Sequence, residues 1–346
     1  MLVSGCVRKR KNTITLSVLA GSRQTGRQDQ HWYKRFCDQQ NIPQPVANAS
    51  FRYNISRFKS FSITYGANTN QPNITQLQPV PDLTNRLNIR QGNPDLKQEY
   101  NHNIQASLNL LSPYKNKNLF LFLTMQTTRN KIVNYDSVNL QTGVRYTKPV
   151  NVNGVYNFNS NISYSVPVRF LKGTIELGGR ASYFKGKQFI NSFANNTKAW
   201  ALGPEIRLDM NPTDKLNVSV STNLDYNNTQ YSLQSAMNTN YISQEYSGSF
   251  DWQLPKQFSL STDFTYTINS QRAAGFNTKV PIWNASISKQ FLRYNRGELK
   301  LSASDLMNKN VGISRTTNQN YIEDSRVNIL RRFFMLSLPI VSVRPA

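Results

Sequence analysis

The sequence predicts an all-β chain: an antiparallel transmembrane β-barrel, or a part of one, with about 12 to 15 long strands. Three observations carry this expectation. Apolar and polar residues alternate with period two over runs of about 11 residues, twice the usual length of a globular strand. Tight turns and long polar loops both occur between these runs, as in a barrel whose turns are short on one side and long on the other. Finally, only 38% of the 346 residues are hydrophobic, low for a chain that buries a conventional core.

The clearest strand spans residues 215–227. There Leu216, Val218, Val220, Thr222, Leu224 and Tyr226 share one face, with Asn217, Ser219, Ser221, Asn223 and Asp225 on the other. Residues 258–269 repeat the pattern with Phe258, Leu260, Phe264 and Tyr266 against Ser259, Ser261 and Asp263. In chain order the remaining candidates are 50–55, 60–67, 101–111, 118–128, 152–166, 173–184, 199–210, 241–254, 280–291, 298–307 and 330–338. Pro and Asp mark tight turns at 211–214 and 254–256, whereas 188–198, 227–240 and 308–326 read as long polar loops. In a membrane the apolar face meets lipid and the polar face lines water or a plug. Tyr226, Trp252, Tyr266, Trp283 and Tyr294 suit interfacial girdles.

Composition narrows the function. Lys and Arg number 41 against 18 Asp and Glu, a formal charge of +23, so an anionic partner has to be considered. A dense part of that charge is amino-terminal, at Arg8, Lys9, Arg10, Lys11, Arg23, Arg27, Lys34 and Arg35. Both cysteines, Cys6 and Cys37, lie there too, and the histidines are His31 and His102. Zinc sites and histidine triads want more ligands than this, so no cofactor and no enzyme are expected. The densest apolar run, 333–338, is far shorter than the roughly 18 to 20 residues of a membrane helix. Residues 1–45 are expected to be a basic extension, disordered or mis-translated and without a signal peptide; 46–338 form the barrel portion and 339–346 a short tail.

One segment carries a resemblance. Gly92-Asn93-Pro94-Asp95-Leu96-Lys97-Gln98-Glu99-Tyr100, before the strand at His102, resembles a segment common in the barrels of TonB-dependent receptors. The approach through residues 70–79 and Asp82, the strand end Ser304-Asp305-Leu306-Met307-Asn308 and the closing stretch 331–338 resemble the same family in the expected order. The resemblance covers 46–338 and implies an outer-membrane receptor for a scarce solute: an iron chelate, cobalamin, glycan or peptide. It also implies outer-membrane lipid, the barrel-assembly machinery, a plug domain, TonB and a surface lipoprotein as partners, with no nucleic acid. The family's signal peptide, TonB box and plug find no counterpart here. The chain is therefore expected to be a carboxy-terminal fragment that does not transport alone.

Residues Gly92, Asn93, Pro94, Asp95 and Leu96 are read as a structural marker turn, with Pro94 and Asp95 setting it. His102 beside Glu99 and Asp95 is read as a polar strand start in preference to an acid–base cluster. Asp225, Asp263, Lys289 and Lys300 are expected to line the lumen. The alternatives are a self-sufficient porin or adhesin-like barrel, a soluble basic β protein that binds nucleic acid, and an outer-membrane enzyme.

Overall fold

The computed structural model describes residues 2–9, 12–23, 44–139, 141–233, 235–270, 278–292, 297–317, 322–327 and 329–339. Its strands in chain order are β1 (Leu2–Lys9), β2 (Asn12–Arg23), β3 (Gln44–Ser56), β4 (Lys59–Asn70), β5 (Asn88–Arg90), β6 (Glu99–Ser112) and β7 (Lys117–Arg129). There follow β8 (Lys131–Val138), β9 (Arg145–Val152), β10 (Val155–Val168), β11 (Gly173–Ile190), β12 (Phe193–Thr213), β13 (Leu216–Tyr231) and β14 (Thr239–Leu254). The last six are β15 (Phe258–Asn269), β16 (Thr278–Phe291), β17 (Gly297–Ser304), β18 (Gly312–Thr317), β19 (Ile322–Val327) and β20 (Phe333–Ser337). One short helix, α1 (Ile74–Leu77), lies between β4 and β5.

Eighteen of these strands form one sheet, and β18 and β19 form a separate hairpin. The sheet is an antiparallel meander from β1 to β20 in which β4 pairs with β6, β7 with β10 and β17 with β20. The strands it skips, β5, β8 and β9, stand to one side. Hairpin β8–β9 joins β11 through a parallel pairing of β8, and β5 lies parallel to β9. Among the described residues no pairing joins β20 to β1.

Register explains the composition. One row across the strands reads Leu208, Val220, Gly248, Phe264, Trp283; the next residue along gives Asp209, Ser219, Ser249, Asp263, Asn284. The two rows point to opposite faces. Val220, Phe264 and Trp283 are exposed on the apolar face, and the buried hydrophobic residues among those described are Leu96, Val152 and Tyr231. A single-layer sheet with an exposed apolar face needs another apolar phase against it, which lipid supplies. Few hydrophobic residues then suffice.

The two ends of the meander differ. At one end the fully described connections are 57–58, 113–116, 169–172, 214–215 and 255–257; at the other the connections include 71–98, 130–154 and 305–332. The expected loop at 188–198 is instead mostly strand. β11 and β12 run through it and meet at Asn191 and Ser192, whose φ of 46° and 72° close a two-residue hairpin. Asparagine richness there reflects polar pairing between strands, which polarity alone does not separate from loop. The turn expected at 211–214 begins later, because 211–213 extend β12 and the reversal falls at Asp214 and Lys215.

The described parts of residues 1–45 also differ from a separate extension. β1 pairs with β2 and β2 with β3, so the sheet begins before residue 46. In β2, Ile14, Leu16 and Val18 alternate with Thr13, Thr15 and Ser17, a strand signal hidden beside the basic cluster. Tyr294, His31, Cys37 and most of the expected tail lie outside the described residues.

Candidate functional site

The long-loop end is braced by the marker turn. Helix α1 starts in a capping box: Asn73 Oδ1 accepts from Gln76 N at 2.8 Å and Gln76 Oε1 from Asn73 N at 2.9 Å. The carbonyls around its end then receive the turn. Gly92 N donates to Gln78 O at 2.9 Å and Asn93 N to Gln76 O at 2.6 Å. Only glycine fits, since a Cβ on residue 92 would lie 2.3 Å from Gln78 O and 2.6 Å from Gln78 N. Asn93, not the expected Asp95, supplies the side chain that closes the turn. Its Oδ1 accepts from Asp95 N at 3.2 Å and its Nδ2 donates to Pro149 O at 3.0 Å, while Asp95 is exposed.

The turn is thereby tied to hairpin β8–β9. Asn151 of β9 accepts from Lys97 N at 2.8 Å and donates to Lys97 O at 2.9 Å and Asn130 O at 2.7 Å. Glu99, whose side chain is 4% exposed, accepts from Ile132 N at 2.8 Å and meets Lys131 Nζ at 3.0 Å. Toward the turn end of the hairpin Asp136 is buried, with Arg145 Nη2 at 2.7 Å and Thr147 Oγ1 at 2.7 Å. Asn191 N donates to Asp136 O at 2.8 Å and Asn191 Oδ1 accepts from Val138 N at 2.7 Å, which locks the hairpin onto the β11–β12 turn. Along hairpin β8–β9 lies an open cavity of about 720 Å³ lined by Tyr135, Ser137, Tyr146 and Lys148, with Gln91, the residue before the marker turn, also in its lining.

Below this end the polar face carries charge pairs. Arg180 of β11 reaches Asp225 of β13 at 3.1 Å, crossing β12 at Gly203, where a Cβ would sit 2.8 Å from Asp225 Oδ1. Asn223 Nδ2 donates to Asp225 Oδ2 at 3.3 Å. Arg207 pairs with Asp209 at 3.0 Å, and Ser163 Oγ donates to Glu176. A recess of about 370 Å³ lined by Phe122, Asn159, Asn161, Arg180 and Asp225 opens here. Arg180 and Asp225 are 54% and 41% exposed, so their pairing adds little stability and leaves both available to solute.

Of the expected lining residues, Asp225, Asp263 and Lys300 lie on the polar face, Asp263 accepting from Asn284 Nδ2 at 2.7 Å. Lys289 does not. It shares the face of Ile287 and Trp283 at the short-turn end, with Nζ 5.0 Å from the Phe258 ring centroid, because odd positions of β16 face lipid. His102 is separated from Glu99: its Nδ1 lies 2.8 Å from Tyr65 OH and the rings stack at 6.2 Å, an aromatic pair on the apolar face. Arg180, Glu176 and Arg207 were not singled out, although Glu176 and Arg180 fall on the polar parity of β11 opposite Ile175 and Leu177. Asp136 and the Asn151 clamp carried no local signal.

Outside the membrane-spanning strands, Asp82 accepts from Thr84 Oγ1 at 2.5 Å and Thr84 N at 3.0 Å, which holds its carboxyl below the usual carboxylate range. A depressed carboxylate stabilises its bend above the unfolded pKa, and that contribution is lost as pH falls through the folded value. Carboxyl carbon shifts of Asp82 are expected to titrate below those of an unstructured Asp and to move only part of the way back in Thr84→Val, which loses the hydroxyl donor but keeps the backbone N–H of residue 84 and the attraction of Arg90.

Among known proteins, the model of an outer membrane protein beta-barrel family matches residues 38–192 and 181–339. A search of curated proteins gives no match.

Proposed function

Because the chain belongs to an outer membrane protein beta-barrel family, we propose that it serves as the barrel of a TonB-dependent type of receptor that takes up a scarce solute. The observation that supports this reading is the braced long-loop end, where hairpin β8–β9, tied to the Gly92–Leu96 turn, lines an open cavity above a polar, charge-paired wall. A solute would meet Tyr135, Tyr146 and Lys148 first, then Asn161, Arg180 and Asp225 along the wall. Outer-membrane lipid covers the apolar face; a plug, TonB and a surface lipoprotein are the partners this reading requires. Binding and passage need no covalent chemistry and no cofactor.

The test is uptake. A strain lacking the gene is grown with single iron chelates, cobalamin, oligosaccharides or peptides as the limiting nutrient. Loss of growth on one class, copied by loss of TonB, supports the proposal; uptake unaffected by TonB overturns it. The porin reading is favoured by the polar wall alone and predicts steady conductance of the purified chain in planar bilayers without any energy source.

A further inference from the structure

The short-turn rim concentrates positive charge in its turns. Each of the five tight turns there that are fully described contributes at least one exposed cation: Arg57, Lys115, Arg169, Lys172, Lys215 and Lys256. Asp214 is the one acidic residue in those turns. At the long-loop end Lys131 and Arg145 are matched to the buried carboxylates Glu99 and Asp136; among the described residues Arg86, Lys97 and Lys198 are in no ion pair, and none of the six rim cations lies in an ion pair either. Lys172 makes one internal bond, to Pro212 O at 3.0 Å.

Two further features set the rim apart. Lys172 and Lys256 have φ of 47° and 59°, left-handed conformations that suit glycine or asparagine, and Asn116 holds the equivalent place in the β6–β7 turn at 48°. Lysine stands there against its backbone preference. Tyr114 and Phe170 project from the turn tips at 99% and 86% exposure, side chains that gain from an interface apolar on one side and wet on the other.

We propose that the short-turn rim is a docking surface for anionic lipid headgroups of the leaflet it faces. Unpaired cations beside exposed aromatics match a phosphate layer lying over hydrocarbon, and juxtamembrane Lys and Arg are attracted to such a layer in proportion to its charge. The cations ring the end of a sheet whose apolar face meets lipid, so they sit at headgroup level. A nucleic acid would have to approach through that layer.

The full chain, refolded from urea into vesicles, tests this. Apparent affinity is compared between pure phosphatidylcholine and vesicles in which about a third of the lipid is phosphatidylglycerol. With about fivefold per cation at low salt, the wild type is expected to favour anionic vesicles by at least tenfold and to lose that preference in about 0.5 M salt. Lys115→Gln, Lys215→Gln and Lys256→Gln together should abolish it. The matched long-loop set Arg86→Gln, Lys97→Gln and Lys198→Gln should leave it intact. Were the rim variant to fold in neither vesicle, the wild-type salt titration decides alone. Equal affinity for both vesicles, preference that survives the rim variant, competition by millimolar inorganic phosphate, or rim-dependent retention on peptidoglycan without lipid preference overturns the proposal.

Discussion

Gly92→Ala is expected to release the long-loop brace while leaving the meander intact. The added methyl meets backbone on both sides of the α1 exit: Gln78 O at 2.3 Å, Gln78 N at 2.6 Å and Gln76 O at 2.8 Å. Backbone cannot swing aside as a flexible side chain does, so α1 and the turn must part. The bonds Gly92 N to Gln78 O and Asn93 N to Gln76 O then stretch together. A steric change of this kind costs about 2 to 4 kcal/mol locally. Hydrogen exchange at Gly92, Asn93 and Leu96 should therefore speed up by roughly 30- to 1,000-fold. Amides of β13 and β14 should keep wild-type protection, because their hydrogen bonds run along the meander to β12, to each other and to β15. If exchange at residue 92 stays slow, the close approach is not a requirement of the fold.

This site also marks the limit of what the sequence discloses. The Gly-Asn-Pro-Asp-Leu string is legible as a turn, and alternation in β13 and β15 announces a membrane strand without help from any other part of the chain. What such local patterns miss is which side chain does the work. Asn93 and Asp95 both have turn chemistry, and only the position of Pro149, 56 residues away, makes Asn93 the one that bridges. Asn151 is likewise an ordinary polar letter until the marker turn docks against it. Lys289 was misplaced for a simpler reason. A cation reads as lumen-facing by type, yet its parity with Ile287 places it on the lipid face, where a long stem reaches the interface.

Glu99→Ala is expected to loosen hairpin β8–β9 at its root and not at its turn end. Glu99 accepts from Ile132 N at 2.8 Å and from Asn70 Nδ2 at 3.3 Å, and it meets Lys131 Nζ at 3.0 Å, with 4% of its own side chain exposed. Removal leaves the Ile132 amide without its acceptor, a cost of about 1 to 3 kcal/mol. Lys131 is 39% exposed and turns to water, so the ionic part adds less than a fully buried pair would. A total of about 2 to 3 kcal/mol follows, enough to raise the opening of the β8 amides by on the order of a hundredfold. Glu99→Gln keeps an oxygen for Ile132 N and should cost about 1 kcal/mol. Lys131→Met should cost less still. At the turn end Asp136 keeps Arg145 and Thr147, so Val138 and Asn191 should exchange at wild-type rates. Equal loosening at both ends would mean that the hairpin opens as one unit, and the independent locking of its root and its turn end would then be wrong.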